Sequence, residues 1–519
     1  MECLNAAAYF VDRHLEEGRT SATAIECGDR RISYGELHEQ VNRLGTALRE
    51  RLGVRPEERV LLLMLDSPEM IYSFFGAIKI GAVPVPINTL WTPADYEFVL
   101  HDARPRVVIV TDSLRPRIVD AVRRCPWVRH LVVFGEAGDG EIGFDELVGS
   151  GLRELEAEST SADAPAFWLY SSGSTGSPKG CVHLQHDMLV CANNYARGVL
   201  GIASQDRCFS VAKLFFAYGL GNAMYFPLAV GATSILWPGT VTPPVVYDLI
   251  ERYRPTLFYS VPTHFAMMLA HHREGRDFDL SSIRSAVSAG EALPPVVHTR
   301  FRERFGVEIL DGIGSTEVLH IFISNRPGQS RAGSSGQLVP GYEAQIVDEQ
   351  GAAVPLGVTG QLLIQGDSTC AYYWNRHEKT KETIVGHWIR TGDHYRQDED
   401  GFFWFAGRSD DMLKVGGQWV SPAELEQTLV EHPDVSACGV AGCADHDGLI
   451  KPIAYVVVHA GVEATPELAA TLRQFARERL AEYKRPRWVE FVQALPMTPT
   501  GKVQRFKLRE RAAHRADRT

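Results

Sequence analysis

Tyr170-Ser-Ser-Gly-Ser-Thr-Gly-Ser-Pro-Lys-Gly180 packs three glycines, four serines and a threonine into eleven residues, directly after the apolar run Ala166-Phe-Trp-Leu-Tyr170. Glycines let a backbone turn sharply and approach a ligand closely, so consecutive N–H groups can converge on an anion. The hydroxyls of Ser171, Ser172, Ser174 and Thr175 add donors, Gly173 and Gly176 add freedom, and Lys179 adds a positive charge. Such a loop suits polyphosphate. It is not the common P-loop, because Lys179 is followed by Gly180 where Ser or Thr is required. Composition alone also allows a flexible Gly/Ser linker. A strand-like run before it and the apolar stretch Met188-Leu-Val-Cys-Ala192 after it argue against that alternative.

Outward from this loop, short β-rich runs alternate with helical patterns for most of the chain. Arg59–Met64, Arg106–Thr111, His130–Phe134, Thr233–Trp237 and Thr256–Ser260 read as buried strands, and Tyr34–Leu44 and Ser67–Phe75 as helices. This alternation predicts an α/β fold of parallel sheets covered by helices. Between 333 and 406 the pattern changes to Gly- and Asp-punctuated strands (Glu343–Val347, Gly360–Ile364, Gly401–Phe405), which predicts a small β-rich subdomain. A second domain is expected from about residue 410, so that 1–409 and 410–519 form two units, the latter a smaller α+β lid. Ser421-Pro-Ala-Glu424 reads as a capping box opening a helix, followed by the strand Pro452–Val458 and a helix around Glu467–Leu480. The Arg-rich tail after Leu508 reads as a solvated helix end.

At 519 residues the chain exceeds the size of one core. The 53 Lys plus Arg against 64 Asp plus Glu give −11, which excludes a broad polyanion partner such as nucleic acid but leaves room for a local nucleotide pocket. Nine scattered cysteines without a C-x-x-C pair, and an acidic amphipathic N-terminus, predict reduced thiols in the cytoplasm. No run approaches the roughly 20 apolar residues that span a bilayer.

Five further stretches are ambiguous one at a time. Ala289-Gly-Glu-Ala-Leu293 is either an ordinary strand-to-helix turn or a surface for a flat ligand. Asp311-Gly-Ile-Gly-Ser-Thr-Glu317 leaves little room for a helix, and its Glu317 is either a loop charge or an oxygen ligand for Mg2+. Trp388-Ile-Arg-Thr-Gly-Asp393 ends a strand-like run at a Gly-Asp corner whose aspartate suits two ribose hydroxyls. Gly407-Arg-Ser-Asp-Asp-Met-Leu-Lys-Val-Gly-Gly417 reads alone as a polar linker and hairpin. Pro496-Met-Thr-Pro-Thr-Gly-Lys-Val-Gln-Arg505 presents Lys502 on a turn, where a lone lysine is ordinarily solvated.

In this order and company, the stretches resemble the adenylate-forming superfamily of acyl- and aryl-CoA synthetases, adenylation domains and luciferases, over essentially the whole chain. Ala212-Lys-Leu-Phe-Phe-Ala-Tyr-Gly-Leu-Gly-Asn222, Ser288–Pro294 and Asp311–Ile321 look like the benzoate-CoA ligase branch. Phe216 departs from the histidine that 4-coumarate- and chlorobenzoate-CoA ligases carry there, so no cation meets the substrate carboxylate at that position.

The resemblance implies ATP, Mg2+ and CoA as cofactor and co-substrates, and a small aromatic carboxylic acid as the group activated. Thr175 and its neighbours from Ser171 to Gly176 would hold the outer phosphates with Lys179 nearby. Thr316 would touch the α-phosphate, and Glu317 would bind Mg2+. Gly290, Glu291 and Ala292 would flank adenine with Asp311, Gly312, Ile313 and Gly314, while Asp393 and Arg408 hold ribose. Lys502 would bridge the α-phosphate and the carboxylate. The lid would then swing about Asp410, so that Gly416 and Gly417 line a pantetheine tunnel, with Tyr483 and Arg485 on the CoA nucleotide. Phe215, Ala217, Tyr218, Gly219, Gly314, His320 and Ile321 would form the acid pocket, flat and bulky enough for one ring. Benzoate, anthranilate and hydroxybenzoates all remain open, as do a homodimer, a carrier-protein phosphopantetheine as acceptor, and a non-catalytic nucleotide-binding relative.

Overall fold

The apolar runs become the middles of parallel strands. Val83–Pro86, Arg59–Leu63, Val107–Thr111, His130–Phe134 and Ile142–Gly143 pair in that spatial order as one parallel sheet. Runs of Val, Ile and Leu suit such strands because both faces are covered. The computed structural model describes residues 3–171, 178–273, 277–409, 411–415, 418–445, 449–480, 482–497 and 503–516.

A second sheet has nine strands, in the order Gln337–Leu338, Ile321–Ser324, Ile309–Gly314, Ser285–Ser288, Leu257–Ser260, Arg207–Ser210, Thr233–Leu236, Thr23–Cys27 and Arg30–Ser33. From Ile309–Gly314 to Thr23–Cys27 the pairing is parallel. Helix Pro68–Lys79 is buried along its whole length. Apolar residues on every face account for that. Its neighbour Tyr34–Thr46 opens on a reciprocal capping box between Ser33 and Glu36.

The β-rich segment is an antiparallel sheet of Tyr342–Val347, Gly360–Gly366, Trp388–Gln397 and Phe403–Arg408, with Ile384–Val385 at one edge. The Gly-Asp corner expected to end a strand lies inside one. Leu363 faces Arg390 and Gln361 faces His394, so Leu362 alone opposes Thr391, Gly392 and Asp393. A bulge of this kind re-aims a side chain without ending the strand, and Gly392 supplies the φ of 75°.

The C-terminal domain pairs Val435–Ala444 with Ile450–Val458 and adds Trp488–Phe491 in parallel, flanked by helices Pro422–Val430, Pro466–Arg479 and Arg505–Ala516. Two details differ from the sequence reading. Ser421 Oγ accepts the Glu424 N–H at 3.1 Å, but the Glu424 carboxylate turns to Lys484 Nζ at 2.7 Å, so the capping box is made on one side only. The arginine-rich tail is a docked helix. Leu508 and Ala512 are buried against Ala441, Ile453 and Tyr455, and Arg509 pairs with Asp411. Among the described residues no helix is long and apolar enough to cross a membrane.

Candidate active site

The site lies at the carboxyl ends of the parallel strands, where open α/β sheets leave a crevice. On one side stands the hairpin Pro165–Ser171 and Lys179–Leu184, with Ser171 opposite Lys179 at its mouth. Ser172, Gly173, Ser174, Thr175 and Gly176 fall outside the described residues. Facing the mouth is Glu317. Its Oε1 accepts the Tyr373 hydroxyl at 2.7 Å and the Ser171 hydroxyl at 3.5 Å, with Cys181 Sγ at 4.0 Å. All three contacts fall on one oxygen, which directs the other away from them. Lys179 Nζ lies 5.2 Å from the Tyr373 ring centre. Burial and the adjacent Glu317 carboxylate push the Tyr373 phenol far above its usual range, so it remains a donor. Burial likewise holds Cys181, beside Cys370 and Glu317, as a thiol.

Glu317 sits in the short turn Thr316–Val318, fed by strand Ile309–Gly314 and left through Leu319 at φ 71°. That φ is costly for a leucine, and strain of this kind collects at functional sites. Among the described residues no group of three His, Cys, Asp or Glu gathers as for a protein-only metal cage. One carboxylate at the mouth of the Ser171–Lys179 hairpin is a donor of the kind that suits Mg2+, which is usually held by one or two carboxylates plus substrate phosphates and water.

Gly290 follows strand Ser285–Ser288 with φ 90°, and Glu291 accepts the Thr263 hydroxyl at 2.8 Å before Ala292. Beside this turn, Gly312 and Ile313 pair with Ser324 and Ile323 in the next strand. Burial pushes the Asp311 carboxyl up to about 8, against the Ser288 hydroxyl and the Leu293 and Gly312 N–H groups that favour its charge. Asp393 and Arg408 are brought together, Oδ1 to Nη1 at 2.9 Å, at the bulge of the β-rich sheet.

The aromatic side is built by Phe215 to Leu220. Phe215 is buried and packs on Phe216 at 4.4 Å, and Ala217 starts a helix that runs through a π-type stretch at Gly221–Tyr225 to Val230. The Tyr218 hydroxyl is shared between the carbonyls of Ser260 and Val287, at 3.2 and 3.0 Å, which fixes its ring across two strand ends. Gly219 has no room for a side chain: a Cβ there would lie 2.1 Å from Lys213 O. A Cβ on Gly314 would come within 2.6 Å of His320 O. His320 Nε2 is 3.2 Å from Tyr218 O, so that nitrogen carries the hydrogen and Nδ1 bears the lone pair. Nδ1 is buried without a hydrogen-bond partner among the described residues. Burial drives the ring down to about 3, so it is neutral at ordinary pH. Ile321 is buried at the start of the next strand.

Asp410, Gly416, Gly417 and Lys502 lie outside the described residues, as does the Tyr483 side chain. Arg485 is tied within its own domain, Nε to Leu480 O at 3.0 Å. Neighbouring Asp411 is anchored by Arg505 and Arg509 of the last helix. Three groups at the site carry little sequence signal. Tyr373 comes from a two-residue strand far from the motifs, its only mark the aromatic run Tyr372-Tyr-Trp374. Buried Asp66 accepts the Leu214 N–H at 3.0 Å and lies 3.8 Å from Lys213, steadying the aromatic stretch. His183 reads as one polar residue in an apolar strand.

Two family models align with the chain: the AMP-binding enzyme model over residues 11–374 and the AMP-binding enzyme C-terminal domain model over 424–502. The chain belongs to the AMP-binding enzyme family. Within that family it is 48% identical over 509 residues to benzoate–CoA ligase of Thauera aromatica, covering 98% of this chain and 96% of the relative. The structure of the anthranilate CoA ligase AuaEII in complex with anthranoyl-AMP superposes with a TM-score of 0.94 at 44% identity, covering 99% of this chain and 98% of that one. A benzoate CoA ligase from Burkholderia xenovorans LB400 gives 0.89 at 45%, covering 97% and 99%. The benzoate-CoA ligase branch of the AMP-binding enzymes is therefore the one this chain falls in.

Proposed function

We propose that this chain is an ATP-dependent aryl-CoA ligase. It activates a benzoate-type acid as acyl-AMP and passes the acyl group to the CoA thiol. The observation that carries this reading is a single turn. It places Glu317 at the mouth of the Pro165–Leu184 hairpin and, three residues on, His320 against Tyr218 among the rings of Tyr195, Tyr218 and Phe226. Acid and triphosphate are thereby held within one turn of each other, which is what direct attack requires.

A carboxylate is a poor electrophile, so its oxygen attacks the α-phosphorus and pyrophosphate departs with the bond's electron pair. The thiolate then attacks the acyl carbon, and AMP leaves. Both steps need charge stabilisation more than covalent chemistry by the protein. Thr175 and the hairpin loop grip the outer phosphates, Thr316 the α-phosphate, and Lys502 the developing charge between α-phosphate and carboxylate. Glu317 would hold Mg2+, whose charge would offset that of the phosphates. Gly290 to Ala292 and Asp311 to Gly314 flank adenine, and Asp393 with Arg408 takes the ribose. The unit from 410 onward swings about Asp410 between the half-reactions, bringing Gly416 and Gly417 to the pantetheine arm.

His320 Nδ1 favours a ring that brings an N–H or O–H within reach, since a buried acceptor left unmatched costs about 1–3 kcal/mol. Amino- and hydroxybenzoates are thus set against benzoate. A panel of substituted benzoates with ATP, Mg2+ and CoA, read by AMP release and product mass, tests the whole reading. Failure of every aryl acid to release AMP would overturn it.

A further inference from the structure

We propose that His183, anchored by Asp187, is a positioning residue that aims Glu317 by pinning the peptide plane in front of it. The inference rests on the reading of Thr316 and Glu317 as the phosphate and metal turn.

Three carbonyls of that turn are tied to two other segments, one by His183 and two by the stretch Ser368–Cys370. Thr316 O meets His183 Nε2 at 2.8 Å, Glu317 O accepts the Cys370 N–H at 2.7 Å, and Val318 O accepts the Ser368 hydroxyl at 2.9 Å. The Thr316 carbonyl belongs to the peptide before the Glu317 Cα, and the Glu317 carbonyl to the peptide after it. With both planes held, the backbone dihedrals of Glu317 have nowhere to go. The turn needs such restraint because it leads into Leu319 at φ 71°, a conformation that persists only where its surroundings over-determine it.

His183 is built for this contact. Its ring is fully buried and stacks on Phe167 at 5.2 Å and 19°. Nδ1 lies 2.7 Å from Asp187 Oδ2, which also accepts the Leu184 N–H at 3.1 Å. Carboxylate and carbonyl are both acceptors, so the two ring contacts need two N–H donors from one imidazole. Asp187 is as fully buried as the ring it holds. Asp187 is also faced by His186, whose Nε2 is 3.2 Å from Asp187 Oδ1 and whose ring nitrogens meet Ala162 O and Asp367 O, and Cys191, Tyr225 and Tyr342 lie near it. An imidazole that donates one bond to a carboxylate and aims the other at a functional element is the arrangement by which outer-shell groups orient a metal's ligands.

The test compares H183F, which keeps the ring volume over Phe167, with H183Q, which keeps an N–H donor. D187N is added to H183F should the lone carboxylate prevent folding, and thermal midpoints are recorded throughout. H183F should slow acyl-AMP formation by about 10–100-fold and raise the Mg2+ needed for half-saturation, the range typical of outer-shell losses. Thioester formation from supplied acyl-AMP should change less than about threefold, and H183Q should recover much of the loss. Equal losses in both half-reactions, or H183Q no better than H183F, would reduce His183 to packing and overturn the proposal. E317Q separates this from the parent reading. Collapse in E317Q with H183F unaffected sinks only the positioning role, whereas normal adenylation in E317Q sinks the assignment of Glu317 itself.

Discussion

Replacing Tyr373 by Phe removes a single hydroxyl from the site. The ring stays, no cavity opens, and the Lys179 ammonium keeps its aromatic neighbour. What is lost is the 2.7 Å bond to Glu317 Oε1, the shortest of the three contacts on that oxygen, which on the proposed assignment leave the other oxygen to face the phosphates. A hydrogen bond to a charged group is worth about 1.5–3 kcal/mol. Glu317 is half-buried, so water can replace part of it, and the lower figure applies. About 1.5 kcal/mol corresponds to roughly tenfold in rate. The expected result is a tenfold fall in pyrophosphate release at saturating acid and ATP, with a higher Mg2+ concentration for half-maximal rate. Thioester formation from purified acyl-AMP should stay within about twofold, because that step no longer involves the outer phosphates. If Y373F matches the wild-type enzyme at every Mg2+ concentration, the hydroxyl does not orient Glu317.

Lys502→Ala should lower adenylation by orders of magnitude while thioester formation from supplied acyl-AMP survives, and comparable losses in both would refute a lysine confined to the first half-reaction. Gly417→Leu should spare acid-dependent pyrophosphate exchange and impair CoA consumption, since any side chain obstructs a pantetheine tunnel; unimpaired CoA use would refute the tunnel. Gly219→Ala forces a Cβ to within 2.1 Å of Lys213 O and 2.4 Å of Ala212 O, so it should lower the thermal midpoint by about 1–3 kcal/mol of stability and raise KM for the acid more than for ATP. Asp311 is held above its unfolded value, at about 8. Its neutral form is favoured in the fold, so the stability it gives is complete below the unfolded value and is lost as pH rises toward 8. Asp311→Asn should therefore gain thermal midpoint relative to wild type between pH 5 and about pH 8, and a pH-independent difference would refute the raised value.

The strands were legible because parallel strands buried on both faces need uninterrupted Val, Ile and Leu, and Arg59–Leu63 or Val107–Thr111 can hardly be read otherwise. The Thr391-Gly-Asp393 corner was misplaced for a reason of register. A turn signal and a bulge signal are both a glycine beside an aspartate, and only the partner strand, with Leu362 opposite three residues, tells them apart. Glu424 looked like the second half of a capping box until Lys484, sixty residues away, took its carboxylate. Tyr373 and His183 were beyond reach for the same cause. Each acts on the Thr316–Val318 turn through a contact that the chain closes over a long distance, 56 residues for one and 133 for the other. Motifs mark the groups that meet the ligand. They do not mark the groups that aim them.

The turn also explains why those aiming groups come from so many places. Between Glu317 and His320 there are only Val318 and Leu319, so the sides of the site proposed for phosphate and for acid share a backbone too short to flex independently. Leu319 makes the connection with a φ of 71°, at a cost of about 1–3 kcal/mol. Glycine would relieve that strain but would surrender a fully buried leucine side chain, worth about 1.5–3 kcal/mol of burial, and would loosen the turn. The balance favours leucine, provided the strained geometry is held from outside. Asp187 and His183 hold it from the phosphate hairpin, Ser368 and Cys370 from the β-rich segment, and Tyr218 holds His320 from the aromatic stretch. A change in the acid pocket that displaces His320 must therefore be felt at Glu317. On the proposed assignment of Glu317 and His320, choice of acid and rate of activation are coupled through four consecutive residues, so binding the wrong acid should slow the chemistry as well as weaken the complex.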